Sequence, residues 1–252
     1  MRFVHIADCH LGGWREQKLR DLNIEAFQRA IQFCIDKKIE FILLSGDLFN
    51  TSLPSIECLK VVVSWLKRVN DIGIRVYAVA GSHDFSPSGK TILDVLENAG
   101  LLKNAARGVV DGDKLRLRFA VDEPTKVKIT GLPGRRGMLD KSYYKSLDTE
   151  QLEKEPGFKI FMFHTAISEY KPKGMEAMEA MEMSYLPRGF NYYAGGHIHQ
   201  PLITKIKQNG WLVMPGPLFP NNFDELEALG CGGMVMCEFE PKSGTVKPEM
   251  VK

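Results

Sequence analysis

The sequence predicts an α/β fold in which two β-sheets pack against each other and helices cover them. Short apolar runs, FVHIA, FILLS and IRVYAVA, alternate with longer segments of helical periodicity, which indicates a βαβαβ opening and a mostly parallel sheet. Each run is followed by Gly, Asp, His or Ser, as expected at strand ends. From about residue 107 onward, closer-spaced candidate strands predict a second sheet packed on the first: KLRLRFAV, KVKITGL, FKIFMFH, NYYAGG, LITKI, GWLVM and GGMVMCEFE, with helical material near 139–154.

Length and composition are those of an ordinary globular protein. A chain of 252 residues is long enough for one principal domain. Apolar residues make up 44% and charged residues 25%, which excludes extended disorder. The formal net charge of +2 lacks the strongly basic balance that by itself indicates a nucleic-acid-binding protein. Any binding of nucleic acid must therefore depend on local basic patches or on metals.

Cysteine usage and hydropathy bear on the compartment. The five cysteines include no C-x-x-C pair and lie mostly within apolar runs, which favours reduced core thiols over disulfides or a zinc site. No apolar stretch approaches the roughly 18 residues needed to span a membrane, and the chain begins with a strand-like MRFVHIAD instead of a signal peptide. We expect a cytoplasmic protein without membrane association, placed with the nucleoid in a prokaryote.

A helix is predicted over 55–69. Its apolar positions cover more than half of the circumference, which is wider than one sheet can bury: Ile56, Cys58, Leu59, Val61, Val62, Val63, Trp65, Leu66 and Val69. Two interpretations stay open at this point. The helix is wedged between internal layers, or it also packs on a second subunit.

A second segment of unusual composition is MEAMEAMEM at 175–183, which follows a loop-like KPKG. Methionine side chains are flexible and polarizable, so a mobile Met-rich surface could contact a ligand. The simpler alternative is a short helix or a surface insertion.

Three motifs follow the first three strands. In Asp8-Cys9-His10, alternation along an extended backbone points the carboxylate and the imidazole the same way, so both can converge on one cation. Gly46-Asp47 follows FILLS, and Gly81-Ser82-His83-Asp84 follows IRVYAVA. Taken singly, each motif also fits a turn or a helix cap.

Two further motifs complete the set. His164 follows FKIFMF, and Gly195-Gly196-His197-Ile198-His199 follows YYA, where the two imidazoles can share one metal or be divided between two. These carboxylates and histidines exceed what one cation needs, so two metals fit better. His5, within the first strand, is interpreted as a structural histidine.

One apparent motif is set aside. The run from Ser88 to Thr91, SGKT, resembles the end of a phosphate-binding loop. The full pattern G-x-x-x-x-G-K-[ST] would need glycine where Asp84 stands. We therefore expect no nucleotide site there.

With D-x-H, G-D, G-x-H-D, a lone His and G-H-x-H in this order, the sequence resembles the calcineurin-like metallophosphoesterases. Within that superfamily, ADCHLGG, SGDLFN, FHTAI and GGHIH resemble the catalytic domain of the SbcD/MRE-type DNA double-strand-break repair nucleases. The resemblance implies a layered α/β/β/α sandwich of two mixed sheets flanked by helices. It also implies a nuclease domain at 1–240, with 241–252 as a tail or the start of a smaller capping domain.

The resemblance assigns roles to individual residues. The implied ligands are Asp8, His10 and His199 for one metal, His164 and His197 for the other, and Asp47 as the bridge between them. His83 would be the catalytic histidine beside the scissile phosphate, with Asp84 orienting it. Ser82 departs from the family's G-N-H-D, whose Asn binds the second metal. A hydroxyl is a shorter and weaker ligand, so Ser82 is either a tolerated variant or a change that lowers activity.

The resemblance further implies a Mn²⁺-dependent 3′-to-5′ exonuclease and single-strand endonuclease in DNA double-strand-break repair, with Mg²⁺ as the alternative metal. Family members form homodimers through helices, here 55–69, and work with a coiled-coil ABC-type ATPase. Two alternatives are a phosphodiesterase of small or cyclic nucleotide substrates and a DNA-end-binding scaffold weakened by Ser82. Basic side chains that could contact DNA phosphates, or that are simply solvated, are Arg15, Lys18, Arg20, Arg135 and Arg136.

Overall fold

The structure is a computed structural model that describes residues 1–175, 177–206 and 210–252. The strands are β1 (Arg2–Ile6), β2 (Phe41–Ser45), β3 (Arg75–Val79), β4 (Lys103–Asn104), β5 (Gly108–Asp111), β6 (Lys114–Leu117), β7 (Ala120–Asp122), β8 (Val127–Gly131), β9 (Lys159–His164), β10 (Tyr192–Gly196), β11 (Leu202–Lys205), β12 (Trp211–Met214), β13 (Met234–Glu240) and β14 (Thr245–Val251). The α-helices are α1 (Gln17–Asp36), α2 (Ile56–Asp71), α3 (Ile92–Asn98), α4 (Lys141–Ser146), α5 (Thr149–Lys154) and α6 (Phe223–Leu229).

Two six-stranded mixed sheets form the centre of the fold. The first has the order β14-β13-β1-β2-β3-β4, with β1 to β4 parallel and β13 and β14 antiparallel. The second has the order β11-β12-β10-β9-β8-β7, with parallel strands in the middle and an antiparallel strand at each edge. Strands β5 and β6 form a separate hairpin. The predicted class, an α/β fold with two mixed sheets, is confirmed.

Three layers of apolar side chains hold the sheets and helices together. Phe3 and Tyr77 of the first sheet pack with Ile160 and Tyr192 of the second to form the core between the sheets. A second cluster lies between the first sheet and helices α1 to α3, and a third covers the other face of the second sheet, where Tyr144 of α4 packs. Burial of apolar surface contributes roughly 25 cal/mol per Å² to the stability of the fold. Because apolar clusters cover both faces of each sheet, both faces contribute.

The pairing of the C-terminal strands corrects one prediction. The run GGMVMCEFE, placed with the second sheet on sequence grounds, forms β13 and pairs antiparallel with β1 of the first sheet. Its alternate residues Val235, Cys237 and Phe239 enter the core between the sheets. Strand β14 lies within the expected tail, 241–252, and pairs with β13. The boundary at 240 and a capping domain stay predictions.

Helix α2 has one buried face instead of a buried circumference. Ser55 caps it by accepting a hydrogen bond from the Cys58 amide at 3.2 Å. Val62 and Leu66 are fully buried against the first sheet, whereas Ile56 is 80% exposed. The helix therefore belongs to an outer layer, and the interpretation of a helix wedged between internal layers is wrong. Ile56, at the first helical position, does not reach the core.

His5 joins the two sheets. Its Nδ1 lies 3.0 Å from the Tyr192 hydroxyl of the second sheet, and its Nε2 lies 2.9 Å from the Ser45 hydroxyl of the first. Burial lowers the pKa of His5 to about 3, so the ring is neutral near pH 7. The prediction of a structural role for this histidine is confirmed.

The cysteines are reduced, as predicted. Four cysteines, Cys9, Cys34, Cys58 and Cys237, are buried, Cys231 is exposed, and all are free thiols. Among the helices that the structure describes, none combines the length and apolar character needed to cross a bilayer.

The described part of 175–183 forms no α-helix, and Met181 is buried under the second sheet, so the short-helix alternative does not hold there.

Candidate active site

The predicted side chains converge at the carboxyl ends of strands from both sheets. Asp8 and His10 follow β1, Asp47 follows β2, His83 follows β3, and His164 is the last residue of β9. His197 and His199 follow β10. Because the two sheets face each other, their strand ends meet at one edge of the sandwich.

The backbone at this edge adopts a conformation that ordinary residues rarely adopt. Asp8, His10, Asp47 and His197 have φ values of 51°, 42°, 50° and 81°. Such left-handed residues cost roughly 1–3 kcal/mol each unless their surroundings hold them. Here the Asp8 amide donates to the Gly46 carbonyl at 3.1 Å, and the His10 amide donates to the Asp47 carbonyl at 2.9 Å. The strain therefore lies where the polar side chains meet.

Two glycines make the close approach of these side chains possible. A Cβ atom at Gly46 would lie 2.1 Å from Nδ1 of His164, and a Cβ at Gly81 would lie 2.2 Å from Oδ1 of Asp47. Neither distance is compatible with van der Waals packing. Glycine at these positions therefore lets the loops after β2 and β3 pack against the site.

One group of possible metal ligands consists of Asp8, His10 and His199, whose donor atoms all lie within 4.8 Å of one another. Nε2 of His199 is 3.7 Å from Oδ1 of Asp8 and 3.1 Å from Nε2 of His10. Nε2 of His10 is 4.0 Å from the same carboxylate oxygen. Two imidazole nitrogens and a carboxylate oxygen are a donor set that suits Mn²⁺ or Zn²⁺.

Two further groups of possible ligands overlap with the first. One consists of Asp8, Asp47 and His164, and the other of His10, Asp47 and His83. Nε2 of His164 lies 3.2 Å from Oδ2 of Asp47 and 3.9 Å from Oδ1 of Asp8. Asp8 and Asp47 each occur in two groups, so the three groups form one connected cluster. This cluster has more donor atoms than one cation requires.

Main-chain contacts on the far side of two imidazole rings direct their Nε2 atoms to the site. Nδ1 of His164 lies 2.8 Å from the Ser45 carbonyl, and Nδ1 of His83 lies 2.7 Å from the Asn50 carbonyl. A carbonyl only accepts, so Nδ1 carries the proton and a neutral ring has its lone pair on Nε2. Nε2 of His164 is buried and faces Oδ2 of Asp47 at 3.2 Å, so a nitrogen and a carboxylate oxygen that can both bind a metal lie side by side.

The ionisation behaviour of the site is that of a cation-binding centre. Burial raises the pKa of Asp8 to about 6. Burial alone would also raise the pKa of Asp47, but His164 lowers it well below its usual range. In return, Asp47 outweighs the burial of His164 and raises its pKa to about 10. Burial lowers the pKa of His10 to about 3 and that of His197 to about 4. Asp8 and Asp47 thus lie beside the neutral rings of His10 and His197, and in the absence of a cation the protonated ring of His164 supplies the positive charge that these carboxylates favour.

The other predicted ligands, Ser82 and His197, adjoin these groups. The Ser82 hydroxyl donates to Oδ2 of Asp47 at 3.4 Å. The His197 amide donates to both carboxylate oxygens of Asp8, at 3.0 and 3.1 Å, and its ring centroid is 5.3 Å from that of His164. Both residues are therefore brought to the site, although neither belongs to the compact groups.

Asp84 connects two of the loops that form the site. It is fully buried and accepts hydrogen bonds from the amides of Asp47 at 3.0 Å and Gly81 at 2.8 Å. The ring of His83 instead contacts the Asn50 carbonyl. Asp84 therefore holds the loops after β2 and β3 together, and its orientation of His83 stays a prediction.

Sequence reasoning missed two groups. The Asn50 carbonyl belongs to the main chain, so no residue type signals it. Glu225 lies 2.7 Å, through Oε1, from Nδ1 of His199. Asn222 caps α6, and the pattern of Asn222 with Glu225 three residues later is a capping signature that could have located the helix but not its contact with His199.

A cavity of about 360 Å³ opens beside the site. It is lined by Ser82, His83, Arg135, Arg136, Gly137, His164, Thr165, Met178, Glu179 and His197. The guanidinium of Arg135 stacks 4.4 Å over the ring of Phe85, a contact that limits its motion. Arg15, Lys18 and Arg20 are not among the lining residues. Arg20 instead donates to the Arg15 carbonyl at 3.3 Å.

The SGKT run has a structural role. Thr91 forms a capping box with Asp94 at the start of α3. Its amide and hydroxyl both donate to Oδ2 of Asp94, at 3.1 and 3.0 Å. Lys90 is exposed and lies away from the cavity lining. The structure is consistent with a helix cap there instead of a phosphate-binding loop.

Comparison with known proteins agrees with this geometry. Residues 1–201 match the family model for calcineurin-like phosphoesterases. The chain is 29% identical over 249 residues to the DNA double-strand break repair protein Mre11 of Methanocaldococcus jannaschii, covering 92% of this chain and 61% of that protein. It is 30% identical to the Mre11 proteins of Methanococcus maripaludis and Archaeoglobus fulgidus, covering 82% and 81% of this chain and 54% and 47% of theirs.

The chain thus spans about half to three fifths of the length of these relatives. A similar fold occurs in a dimetal phosphatase from Danio rerio, with a TM-score of 0.62, 11% identity, and coverage of 95% of this chain and 92% of that one. The match of the family model extends from β1 to just beyond His199 and so includes the whole set of Asp and His side chains at the site. The chain belongs to the calcineurin-like phosphoesterase family.

Proposed function

We propose that this protein is a two-metal phosphodiesterase whose substrate is DNA. The observation that carries the proposal is the convergence of Asp8, Asp47 and His164 with two overlapping ligand groups, all at the meeting point of the two sheets. We assign Asp8, His10 and His199 to one metal, His164 and His197 to the other, and Asp47 to a bridging position, with Ser82 as a weak additional ligand.

Two divalent cations would supply Lewis acidity and an acidified water at this site. The protein's own residues would hold the cations and bind the phosphates of the substrate. Asp8 and Asp47 place negative charge between the imidazoles, and the buried Nε2 of His164 faces Asp47 at 3.2 Å. Arg135 and Arg136 offer positive charge on the cavity wall, where they would bind the phosphates of the substrate.

The proposed role of His83 is to act on the scissile phosphate. It lines the cavity, its amide donates to Oδ1 of Asp47 at 2.8 Å, and its ring is held by the Asn50 carbonyl. With Nδ1–H donated to that carbonyl, Nε2 of the protonated ring donates a hydrogen bond to the phosphate and transfers its proton to the leaving oxygen. General acid catalysis of this kind contributes typically 10²–10⁴-fold.

The archaeal relatives are named DNA double-strand break repair protein Mre11, which supports a role in break repair. The finer assignments come from the resemblance of the motifs to those of the SbcD/MRE-type nucleases. On that basis we propose Mn²⁺ as the metal, with Mg²⁺ as the alternative, and 3′-to-5′ exonuclease and single-strand endonuclease activities in break repair. We also propose a coiled-coil ABC-type ATPase as partner, a homodimer through α2, and a cytoplasmic, nucleoid-associated location.

The decisive experiment incubates the protein with Mn²⁺ and end-labelled duplex and single-stranded DNA, in parallel with a chromogenic phosphodiester. We expect digestion of DNA that His83→Ala lowers by about 10²-fold or more. Lys90→Ala is the matched control: this exposed residue belongs to the SGKT run and does not line the cavity, so its activity should equal that of the wild type.

The other outcomes separate the alternatives. Turnover of the chromogenic diester without digestion of DNA would show a phosphodiesterase of small substrates. Metal-independent DNA binding without any turnover would show an end-binding scaffold. Either result contradicts the proposed nuclease.

A further inference from the structure

We propose that Glu225 is a positioning residue that fixes the imidazole of His199 for metal binding. This inference rests on the proposed two-metal site and adds to it a residue outside the family motifs. Oε1 of Glu225 lies 2.7 Å from Nδ1 of His199, and their side chains are only 20% and 24% exposed. Glu225 lies on α6, more than twenty positions beyond the last motif.

The contact determines which nitrogen of His199 faces the site. An ionised carboxylate only accepts hydrogen bonds, so Nδ1 of His199 carries the proton. Nε2 then carries the lone pair that can bind a cation, and it lies 3.7 Å from Oδ1 of Asp8 and within hydrogen-bond distance, 3.1 Å, of Nε2 of His10. A carboxylate behind a ligand histidine also makes the ring a stronger base.

His199 needs such a partner more than the other histidines do. The side chains of His10 and His164 are 3% and 0% exposed, so packing alone restricts their rotation. The side chain of His199 is 24% exposed and lies at the rim of the site. Without the carboxylate, its ring would be free to rotate or to adopt the other tautomer.

Glu225 is itself held in place by the segment that starts α6. Its Oε2 accepts from the Asn221 amide at 2.8 Å, and its Oε1 accepts from the Asn222 side chain at 2.8 Å. The Glu225 amide donates to Oδ1 of Asn222 at 2.8 Å, which is the helix cap. Hydrogen bonds from the Asn221 amide and the Asn222 side chain therefore hold both carboxylate oxygens of Glu225 in position.

This segment is also attached to the first metal loop. The indole Nε1 of Trp14 donates to the Pro220 carbonyl at 2.8 Å, and the indole packs edge-on to Phe223 at 5.1 Å. Trp14 follows the D-x-H motif by four residues. The start of α6 and the loop that carries His10 thus form one packed unit, with Glu225 oriented towards His199.

The test titrates Mn²⁺ into metal-free wild type, Glu225→Ala and Glu225→Gln by calorimetry. We expect Glu225→Ala to weaken the binding of one of two Mn²⁺ ions by about 10- to 100-fold while the other ion binds as before. Glu225→Gln keeps an oxygen that accepts from Nδ1–H, so its loss should be smaller. The matched control is Glu227→Ala, an exposed acid on the same helix, which should bind both ions as the wild type does.

A second measurement requires neither metal nor turnover. Imidazole nitrogen NMR of the metal-free protein, at a pH where the ring is neutral, should show His199 as the Nδ1–H tautomer in the wild type and as a mixture in Glu225→Ala. Unchanged Mn²⁺ affinities in Glu225→Ala would overturn the proposal, whatever the tautomer. A wild type that binds Mn²⁺ but cleaves no phosphodiester would contradict the proposed function and leave this inference standing.

Discussion

The hydroxyl of Ser82 lies 3.4 Å from Oδ2 of Asp47, the same carboxylate oxygen that lies 3.2 Å from Nε2 of His164. Ser82 therefore reaches the carboxylate to which we assign the bridging position. In the SbcD/MRE-type nucleases that the motifs resemble, this position is Asn. Its side chain is longer than that of Ser, and its amide oxygen is a better metal ligand than a hydroxyl. The departure concerns the second metal and leaves the first ligand group intact.

Ser82→Asn should raise the affinity for one of the two Mn²⁺ ions. The amide oxygen extends further than the hydroxyl, and we expect a gain of about tenfold, equivalent to about 1.4 kcal/mol. Calorimetric titration of Mn²⁺ measures it, with Ser82→Ala as the control that removes the hydroxyl without adding a ligand. Equal affinities in Ser82→Asn and Ser82→Ala would show that residue 82 does not bind metal.

Gly81→Ala should disrupt the site more than it disrupts the fold. The added Cβ would lie 2.2 Å from Oδ1 and 2.4 Å from the amide nitrogen of Asp47, so Asp47 has to move. Overpacking of this kind costs roughly 1–3 kcal/mol. Equilibrium binding of Mn²⁺, alongside thermal unfolding, should show loss of metal from a folded protein.

Gly89→Ala is the matched control for that experiment. Gly89 has φ of 77° but no atom within 4 Å of an added Cβ. The substitution therefore strains the backbone without touching Asp47, and it should lower the melting temperature while leaving Mn²⁺ binding unchanged. If Gly81→Ala also binds Mn²⁺ as the wild type does, the close approach of Gly81 to Asp47 is unimportant for the site.

Asp122 should make stability dependent on pH in the acid range. Arg75 donates to both of its carboxylate oxygens, at 2.8 and 2.9 Å, and the Tyr77 hydroxyl donates at 2.9 Å. Burial alone would raise the pKa of Asp122, but these bonds and those from Thr125 lower it below its usual value. The carboxylate thus stabilises the fold above its unfolded pKa of about 3.9, and this contribution disappears as the pH falls through the lower folded value.

Asp122→Asn is expected to cost about 2 kcal/mol of unfolding free energy at pH 7, because it weakens bonds to a charged group. The difference from the wild type should narrow below about pH 4, where Asp122 becomes protonated in the unfolded chain, and should disappear below the lower pKa of the folded state. Urea unfolding between pH 7 and the acid limit measures both. Glu123→Gln, in an exposed pair with Lys126, should show no such pH dependence, and a constant gap for Asp122→Asn would contradict the argument.

Much of the site could be predicted because its residues follow local patterns. The ends of β1, β2 and β3 are marked by apolar runs that stop at Asp or His, and parallel strands bring their carboxyl ends together. The D-x-H motif predicted a shared site for Asp8 and His10, and the structure places both in one ligand group. The reason differs from the predicted strand alternation, because both residues lie beyond β1 with positive φ. The close approach at Gly81 follows from the fold and has no sequence signal beyond the glycine itself.

What escaped prediction depends on contacts between distant segments. Strand β13 has the same local pattern as the strands of the second sheet, and only its hydrogen-bond partner, β1, shows which sheet it joins. The contact of His83 with the Asn50 carbonyl involves the main chain. Glu225 reaches His199 across 26 positions.

Arg135 and Arg136 should carry part of the electrostatic binding of DNA. Both line the cavity beside His83, so replacing both with Ala should weaken DNA binding and make its salt dependence shallower. The slope of log K against log salt should fall by about 0.9 for each duplex phosphate that the protein no longer neutralises. Lys90→Ala combined with Lys126→Ala is the charge-matched control, because it also removes two positive charges and both lysines are exposed and do not line the cavity. An unchanged affinity and slope in the double variant would exclude these arginines from the DNA surface.

Ile56→Glu should separate the proposed homodimer. Ile56, the first residue of α2, and Leu53, just before the helix, are 80% and 82% exposed, whereas the opposite face of the helix is buried against the first sheet. Covering exposed apolar side chains of this size on a partner is favourable, and a buried glutamate there would oppose association. Light scattering coupled to size-exclusion chromatography should show the mass falling from twice 28.4 kDa to that of one chain. Leu22→Glu, which charges a 47% exposed leucine on α1, should remain dimeric, and a monomeric wild type would contradict the homodimer itself.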